Sequence, residues 1–247
     1  MILRNFAGAA CVLSFSAGAA FAVEIAGGDV SLSYSSFLDD VAVDRTDETD
    51  SLDRLKLGGQ VEVGFGSTFA LQGDIAYHDF GGPRDDANTL TLHGIYHYDP
   101  SFAFGAFIGR DKGDDYDLGY YGIEIARDYI DFSVEAYLSD GDIDDLGSGV
   151  MLGVSGEYWL LPDLNIGASY DLANADNGID GHRIAVQADY LFRPATSVFA
   201  EVGWAEIEFD GASSEETFIE IGAKYTFGRE HGATFGMRGL ANLLPGG

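Results

Sequence analysis

Charged residues recur at alternate positions of many short segments. Glu62, Asp74, Glu135, Glu157, Asp189 and Glu201 share one phase with the sparse basic residues Lys56 and Arg183, and Glu124, Asp131, Asp171, Glu220 and Lys224 fall in that phase too. Side chains two residues apart stand on the same face of a strand. On the inner side of a closed sheet such a set would line a water-filled passage with excess negative charge, which concentrates cations and rejects anions. Ser31, Ser33, Gly105, Gly153, Ser155 and Gly167 lie between the charges. Residues this small either leave room for water or act as packing spacers.

A second set, His78, His93 and His97 with Asp74 nearby, raises the question of catalysis or metal binding. Four residues of strand separate His93 from His97 by about 13 Å, too far to share one ion. His78 and His93 are placed to approach each other across a hairpin. No nucleophile, base and orienting group accompany them, and there is no dinucleotide glycine motif, P-loop or Cys/His metal spacing. The run Asp140-Gly141-Asp142-Ile143-Asp144-Asp145 lacks the frame and closing Glu of a calcium loop. Neither an enzyme nor a bound metal or cofactor is expected.

The elements that must position these residues are strands. Segment 55–65 sets Leu55, Leu57, Val61, Val63 and Phe65 against Lys56, Gln60 and Glu62. Comparable alternation occupies roughly 29–37, 69–78, 89–98, 101–110, 116–127, 130–139, 149–159, 163–173, 182–192, 196–208 and 216–228. In 116–127 the phase is blurred by adjacent tyrosines and is taken with Tyr121, Ile123 and Ile125 on the apolar face. Short connections such as Gly66-Ser67 and Asp99-Pro100 alternate with longer acidic ones at 38–53, 79–88, 111–115, 140–148, 174–181 and 209–215. Aromatics gather toward both ends of the apolar face: Phe65, Phe69, Tyr98, Phe102, Phe132, Tyr158, Phe192 and Phe227 near the short turns, and Tyr34, Tyr77, Tyr170 and Trp204 toward the loops. Two such belts suit interfacial anchoring. The expected fold is all-β, a closed antiparallel up-and-down transmembrane β-barrel of about twelve strands (10–14), because backbone in lipid has no water to pair with and an open edge is prohibitive.

Composition narrows the function classes. With 41 Asp and Glu against 13 Lys and Arg, the net charge of −28 repels phosphate backbones, so no nucleic-acid role is expected. A hydrophobic share of 46% and an aromatic share of 13% argue against disorder. Residues 1–22, a positive start, an apolar run and Ala20-Phe21-Ala22, read as a signal peptide. Its removal takes away Cys11, the single cysteine. The expected organisation is a signal peptide at 1–22, a barrel at 23–228 and a C-terminal tail at 229–247, lying in the periplasm or folded back into the lumen.

On this pattern the chain resembles the small porin-like outer-membrane β-barrels of Gram-negative bacteria. The last strand ends Tyr225-Thr226-Phe227, similar to the aromatic signal of that class, whereas members commonly end at that Phe. The resemblance implies an outer-membrane location among lipid, recognition by the barrel-assembly machinery through Tyr225 and Phe227, and passive diffusion of small cations or small polar solutes. The selectivity residues would be Glu62, Asp74, Glu135, Glu157, Asp189, Glu201, Lys56 and Arg183. The alternatives are a plugged structural or adhesive barrel, a barrel enzyme using the His78/His93 region, and a soluble exported barrel with its apolar face inside.

Overall fold

Alternating apolar and polar residues leave each segment with two incompatible faces, and closure of the sheet separates them. The computed structural model describes residues 23–38, 53–81, 86–113, 116–143, 147–176, 178–209, 212–229 and 232–243. Twelve strands form a closed antiparallel barrel in which every strand pairs with its sequence neighbours and β1 pairs with β12. They are β1 (Val23–Phe37), β2 (Asp53–Phe65), β3 (Phe69–Asp79), β4 (Asp86–Asp99), β5 (Phe102–Gly113), β6 (Asp117–Asp128), β7 (Phe132–Ile143), β8 (Gly147–Leu161), β9 (Leu164–Ala175), β10 (Ile179–Arg193), β11 (Thr196–Phe209) and β12 (Ala212–Gly228). The closing seam runs from Gly27 opposite Gly228 to Phe37 opposite Phe218.

The outer face carries Leu57, Ile75, Leu92, Ile108, Val154, Val186 and Ile221, all exposed and without a protein layer over them. Lipid is their solvent. Tyr121, Ile123 and Ile125 of β6 stand on this face while Tyr120 is buried inside, as the phase assignment requires. Both aromatic belts are present: Phe69, Tyr98, Phe132, Tyr158 and Phe192 are exposed at the short-turn end, and Tyr34, Tyr77 and Tyr170 toward the other. Among the described residues no helix is long and apolar enough to cross a membrane.

Two expectations need correction. Most of the long connections are shorter than the alternation suggests, because the strands continue past the apolar band: only 144–146 separate β7 from β8, and only 210–211 separate β11 from β12. Strand ends beyond the hydrocarbon have no greasy face, so the periodicity fades while pairing goes on. Asp140 and Asp142 accordingly belong to the outer side of β7, where they are exposed. Asp131 is not a lumen residue. It sits with Ile130, 97% exposed, in the short turn before β7, and its carbonyl accepts from the Trp159 amide at 2.9 Å. Residues 1–22, expected to be a signal peptide, and the acidic residues Asp39, Asp44, Asp85, Asp114 and Asp144 lie outside the described residues.

The core of this protein is inside the barrel. Phe107, Leu118, Tyr120 and Met151 form one buried cluster, and Phe80 and Ala87 contribute to another. Glycines make the slots for these rings. A Cβ on Gly109 would stand 2.4 Å from the Tyr120 ring, and one on Gly153 would stand 2.1 Å from the Tyr137 ring. Gly109→Ala is therefore expected to lower barrel stability by about 1–3 kcal/mol through overpacking. Gly73, whose added Cβ would meet nothing within 4 Å, is the matched site where Ala should be tolerated. Urea unfolding from lipid bilayers checks the pair, and equal stability losses at the two sites would refute the slot assignment.

Candidate functional site

After Gly228 the chain turns back at the short-turn mouth and runs up the inside of the barrel. Its backbone has no strand partner there, so its polar groups must be met by side chains of the wall. The Thr234 amide donates to Glu62 Oε2 at 2.8 Å. Phe235 is held reciprocally by Gln72: its amide donates to Oε1 at 3.1 Å and its carbonyl accepts from Nε2 at 2.7 Å. Gln60 donates to the same carbonyl at 3.0 Å. Higher up, Tyr120 donates to the Arg238 carbonyl at 3.2 Å, the Ala241 amide donates to Asp111 at 3.1 Å, and Arg54 donates to the Ala241 carbonyl at 2.9 Å. The segment ends in a single helical turn, α1 (Leu240–Leu243), whose Leu240 and Leu243 pack against the Phe107 and Tyr120 cluster.

Two side chains fix this segment. Phe235, 1% exposed, packs with Ala70, Ile95 and Ala103 and stacks on the His93 ring at a centroid distance of 6.3 Å. Arg238 donates to Glu124 Oε2 through Nε at 3.0 Å and Nη2 at 2.8 Å, pairs also with Glu135, and lies 4.4 Å over the Tyr137 ring. Such a guanidinium satisfies two carboxylates and an aromatic face together, which a lysine does not reproduce.

The histidines are part of the same packed half. His93 lies between Asp74, 2.8 Å from Nε2, and Glu124, 2.7 Å from Nδ1. His78 is near Thr89 at 3.3 Å and stacks on Phe80. They do not approach each other across the hairpin as the sequence suggested: in the β3–β4 register His78 faces Ala87 and His93 faces Gln72. His97 stands apart, 3.5 Å from Glu62. Among the described residues no group of His, Cys, Asp and Glu is arranged to hold a metal ion.

Opposite the segment the lumen holds a cavity. It measures about 920 Å³ and extends from the short-turn mouth at Ser67, Pro100 and Trp159 up to Arg54 and Asn242. One side is Phe235, Gly236 and Met237 of the segment, and the other is the wall of β8, β10, β11, β12, β1 and β2. That wall alternates in sign. Arg54 pairs with Glu220 at 2.9 Å, Arg183 pairs with Glu201 and with Asp171 at 3.4 Å, and Lys224 pairs with Asp189 at 3.3 Å.

Of the eight residues singled out from sequence, Glu135, Glu157, Glu201, Lys56 and Arg183 line this cavity. Glu62, Asp74 and Asp189 point inward but do not line it. Glu62 and Asp74 are 0% and 1% exposed, covered by the segment and its neighbours, and Asp189 is engaged by Lys224. The small residues divide the same way. Gly105 and Gly153 are ring slots in the packed half, whereas Ser31 and Ser155 border open space. Sequence reasoning missed Arg54, two residues before Lys56 and so in phase with it. It also missed Arg238, an isolated base in a tail that follows a lumen of opposite charge.

Comparison with known proteins gives consistent relationships. A family model described as "Putative general bacterial porin" matches residues 26–239. Among solved structures, a KdgM porin is 16% identical with a TM-score of 0.58, the match covering 80% of this chain and 99% of that one. A NanC porin is 9% identical with a TM-score of 0.57, covering 80% and 98%. The COG4313 outer membrane channel from Pseudomonas putida F1 is 12% identical with a TM-score of 0.56, covering 87% and 100%. A KdgM porin has also been solved in complex with disordered oligogalacturonate, at 16% identity, a TM-score of 0.56 and coverage of 80% and 99%. No curated protein matches.

Proposed function

The chain belongs to the general bacterial porin family, and from that premise we propose that it passes small polar solutes by diffusion, cations ahead of anions, along the cavity beside its C-terminal segment. It is an outer-membrane channel, and the finer reading concerns what enters it. The observation that carries the reading is the composition of the cavity lining. Glu24, Asp29, Asp99, Asp128, Glu135, Glu157, Glu201 and Glu220 border it against Arg54, Lys56, Arg183, Lys224 and Arg229. The bases on the wall are largely matched by carboxylates, so the surplus is negative, and the chain's charge of −28 adds to it at longer range. An oligogalacturonate, bound by one fold relative, is an anion and would meet Glu157, Glu201 and Glu220 on the way.

Catalysis has little support from the lumen. Both His93 nitrogens face carboxylates, His78 is buried beside Thr89, and neither borders the cavity. Residues 1–22 are proposed as the export signal of a Gram-negative cell. Tyr225 and Phe227 are proposed as the assembly signal, since both stand on the outer side of the last strand, and Phe227 also covers Gly28 at the closing seam.

The test is the reversal potential of the refolded chain in a planar bilayer across a KCl gradient. A cation-favouring potential is expected, and Glu157→Lys, at the short-turn mouth, should move it toward anions. An anion-favouring wild type, or an unmoved potential in the variant, would remove the acidic lining as the source of selectivity.

A further inference from the structure

We propose that residues 232–243 are a fixed inner wall of the pore that sets its cross-section and its charge selectivity, solutes passing beside the segment without displacing it. This rests on the channel reading above and assigns its specificity to an element outside the barrel wall.

Three independent features point this way. First, the segment is bound through its backbone, by Glu62, Gln72, Asp111 and Arg54 on three different strands. Groups satisfied over its whole length, from Thr234 near one mouth to Ala241 near the other, hold it as a lining and not as a cap on one opening. Secondly, the barrel is shaped to receive it. A Cβ on Gly105 would stand 2.6 Å from the Phe235 ring. Gly239 has φ +114°, a conformation L side chains rarely adopt, and a Cβ there would stand 2.5 Å from Asp111. Thirdly, its one charge cancels those of the wall it covers. Arg238 takes up Glu124 and Glu135, and just before the segment Arg229 reaches Glu62 at 3.0 Å. The side it turns to the cavity, at Phe235, Gly236, Met237 and Asn242, bears no charge.

The consequence is a division of labour within the lumen. Carboxylates of β2, β3 and β6 are withdrawn from the path, and selectivity falls to the far wall. Removing the segment would enlarge the passage and expose Glu62, Asp74 and Glu124 while subtracting the positive charge of Arg238. Both changes favour a larger, more cation-selective current.

The chain from Val23 onward contains no cysteine, so introduced thiols are unique. A Cβ at Gly58 would lie 3.0 Å from the Met237 methyl, which makes Gly58→Cys with Met237→Cys a pair for a short thiol-to-thiol linker. Conductance and reversal potential are measured for this protein linked and reduced, for full-length Arg238→Glu, and for a chain lacking 229–247 whose folding is checked by heat-modifiable gel migration. The expected result is unchanged conductance on linking, with a several-fold rise and a cation-ward shift in Arg238→Glu and in the truncated chain. If truncation prevents folding, Arg238→Glu decides. Loss of current on linking would overturn the proposal, because the segment would then have to leave for solutes to pass. Unchanged conductance in both variants would overturn it too, with the channel reading intact. Silence of wild type, Arg238→Glu and truncated chain alike would instead remove the channel reading itself.

Discussion

Replacing Arg238 with alanine is expected to weaken docking of the C-terminal segment by about 3–5 kcal/mol, the usual cost of leaving buried carboxylates without their partner. The size follows from the burial of the group. The Arg238 side chain is 6% exposed and Glu124 0%, so Coulomb attraction between them is weakly screened. Removing the guanidinium strands Glu124, which already shares its other oxygen with His93, and releases Glu135 toward the cavity. It also empties the space over Tyr137 and Phe107. Amide hydrogen exchange of 232–243 in the reconstituted protein reads the effect. At about 1.4 kcal/mol per tenfold, exchange should accelerate by roughly two to four orders of magnitude. Arg238→Lys should fall between, since an ammonium keeps the charge and loses the fork that serves both carboxylates. Wild-type protection in the alanine variant would mean that Phe235 and the backbone hydrogen bonds hold the segment without the ion pairs.

How much of this was legible in the sequence depends on how local each property is. Which face a strand residue occupies is a matter of parity, so Glu135 and Tyr137 inward with Val134 and Leu138 outward could be read from four neighbouring letters. Even β6, with Tyr120 and Tyr121 adjacent, resolved once its isoleucines were given to lipid. What parity does not contain is distance across the lumen. Glu62 and Glu157 look alike in sequence, each an acid in an alternating run. The first receives the Thr234 amide and the second borders open space, and nothing within either strand separates them. The same holds for the histidines, where a register fixed by the whole β3–β4 hairpin put His93 opposite Gln72. The segment that decides these outcomes has no periodicity of its own. Its only sequence signs are a Gly-rich start, one Arg and a few apolar residues around Leu240 that need cover. Strand ends were misjudged for a different reason: hydropathy reports the hydrocarbon band, whereas hydrogen bonding continues beyond it.

Leu92→Arg is expected to destabilise the barrel by about 2–4 kcal/mol in lipid, the depth-dependent cost of a cationic side chain on the lipid face near mid-membrane. Leu92 is midway along β4, 52% exposed, flanked in register by Gly73 and Ile108, and has Leu90 and Ile75 on the same outer surface. Val134, only two residues from the start of β7 at the short-turn end, is the shallow control, where Arg should cost about 0–1 kcal/mol because the side chain reaches the headgroups. Urea titration of barrels folded into vesicles measures both. The contrast matters more than either number, because it depends on which solvent bathes the outer face. If the barrel stood in water, an exposed leucine exchanged for arginine would cost little at any height, and the two positions would behave alike. In lipid they differ by the depth of each residue. A flat, small response would therefore return the chain to the class of soluble barrels, and the charged lumen would have to be explained without a membrane potential or a solute gradient across it.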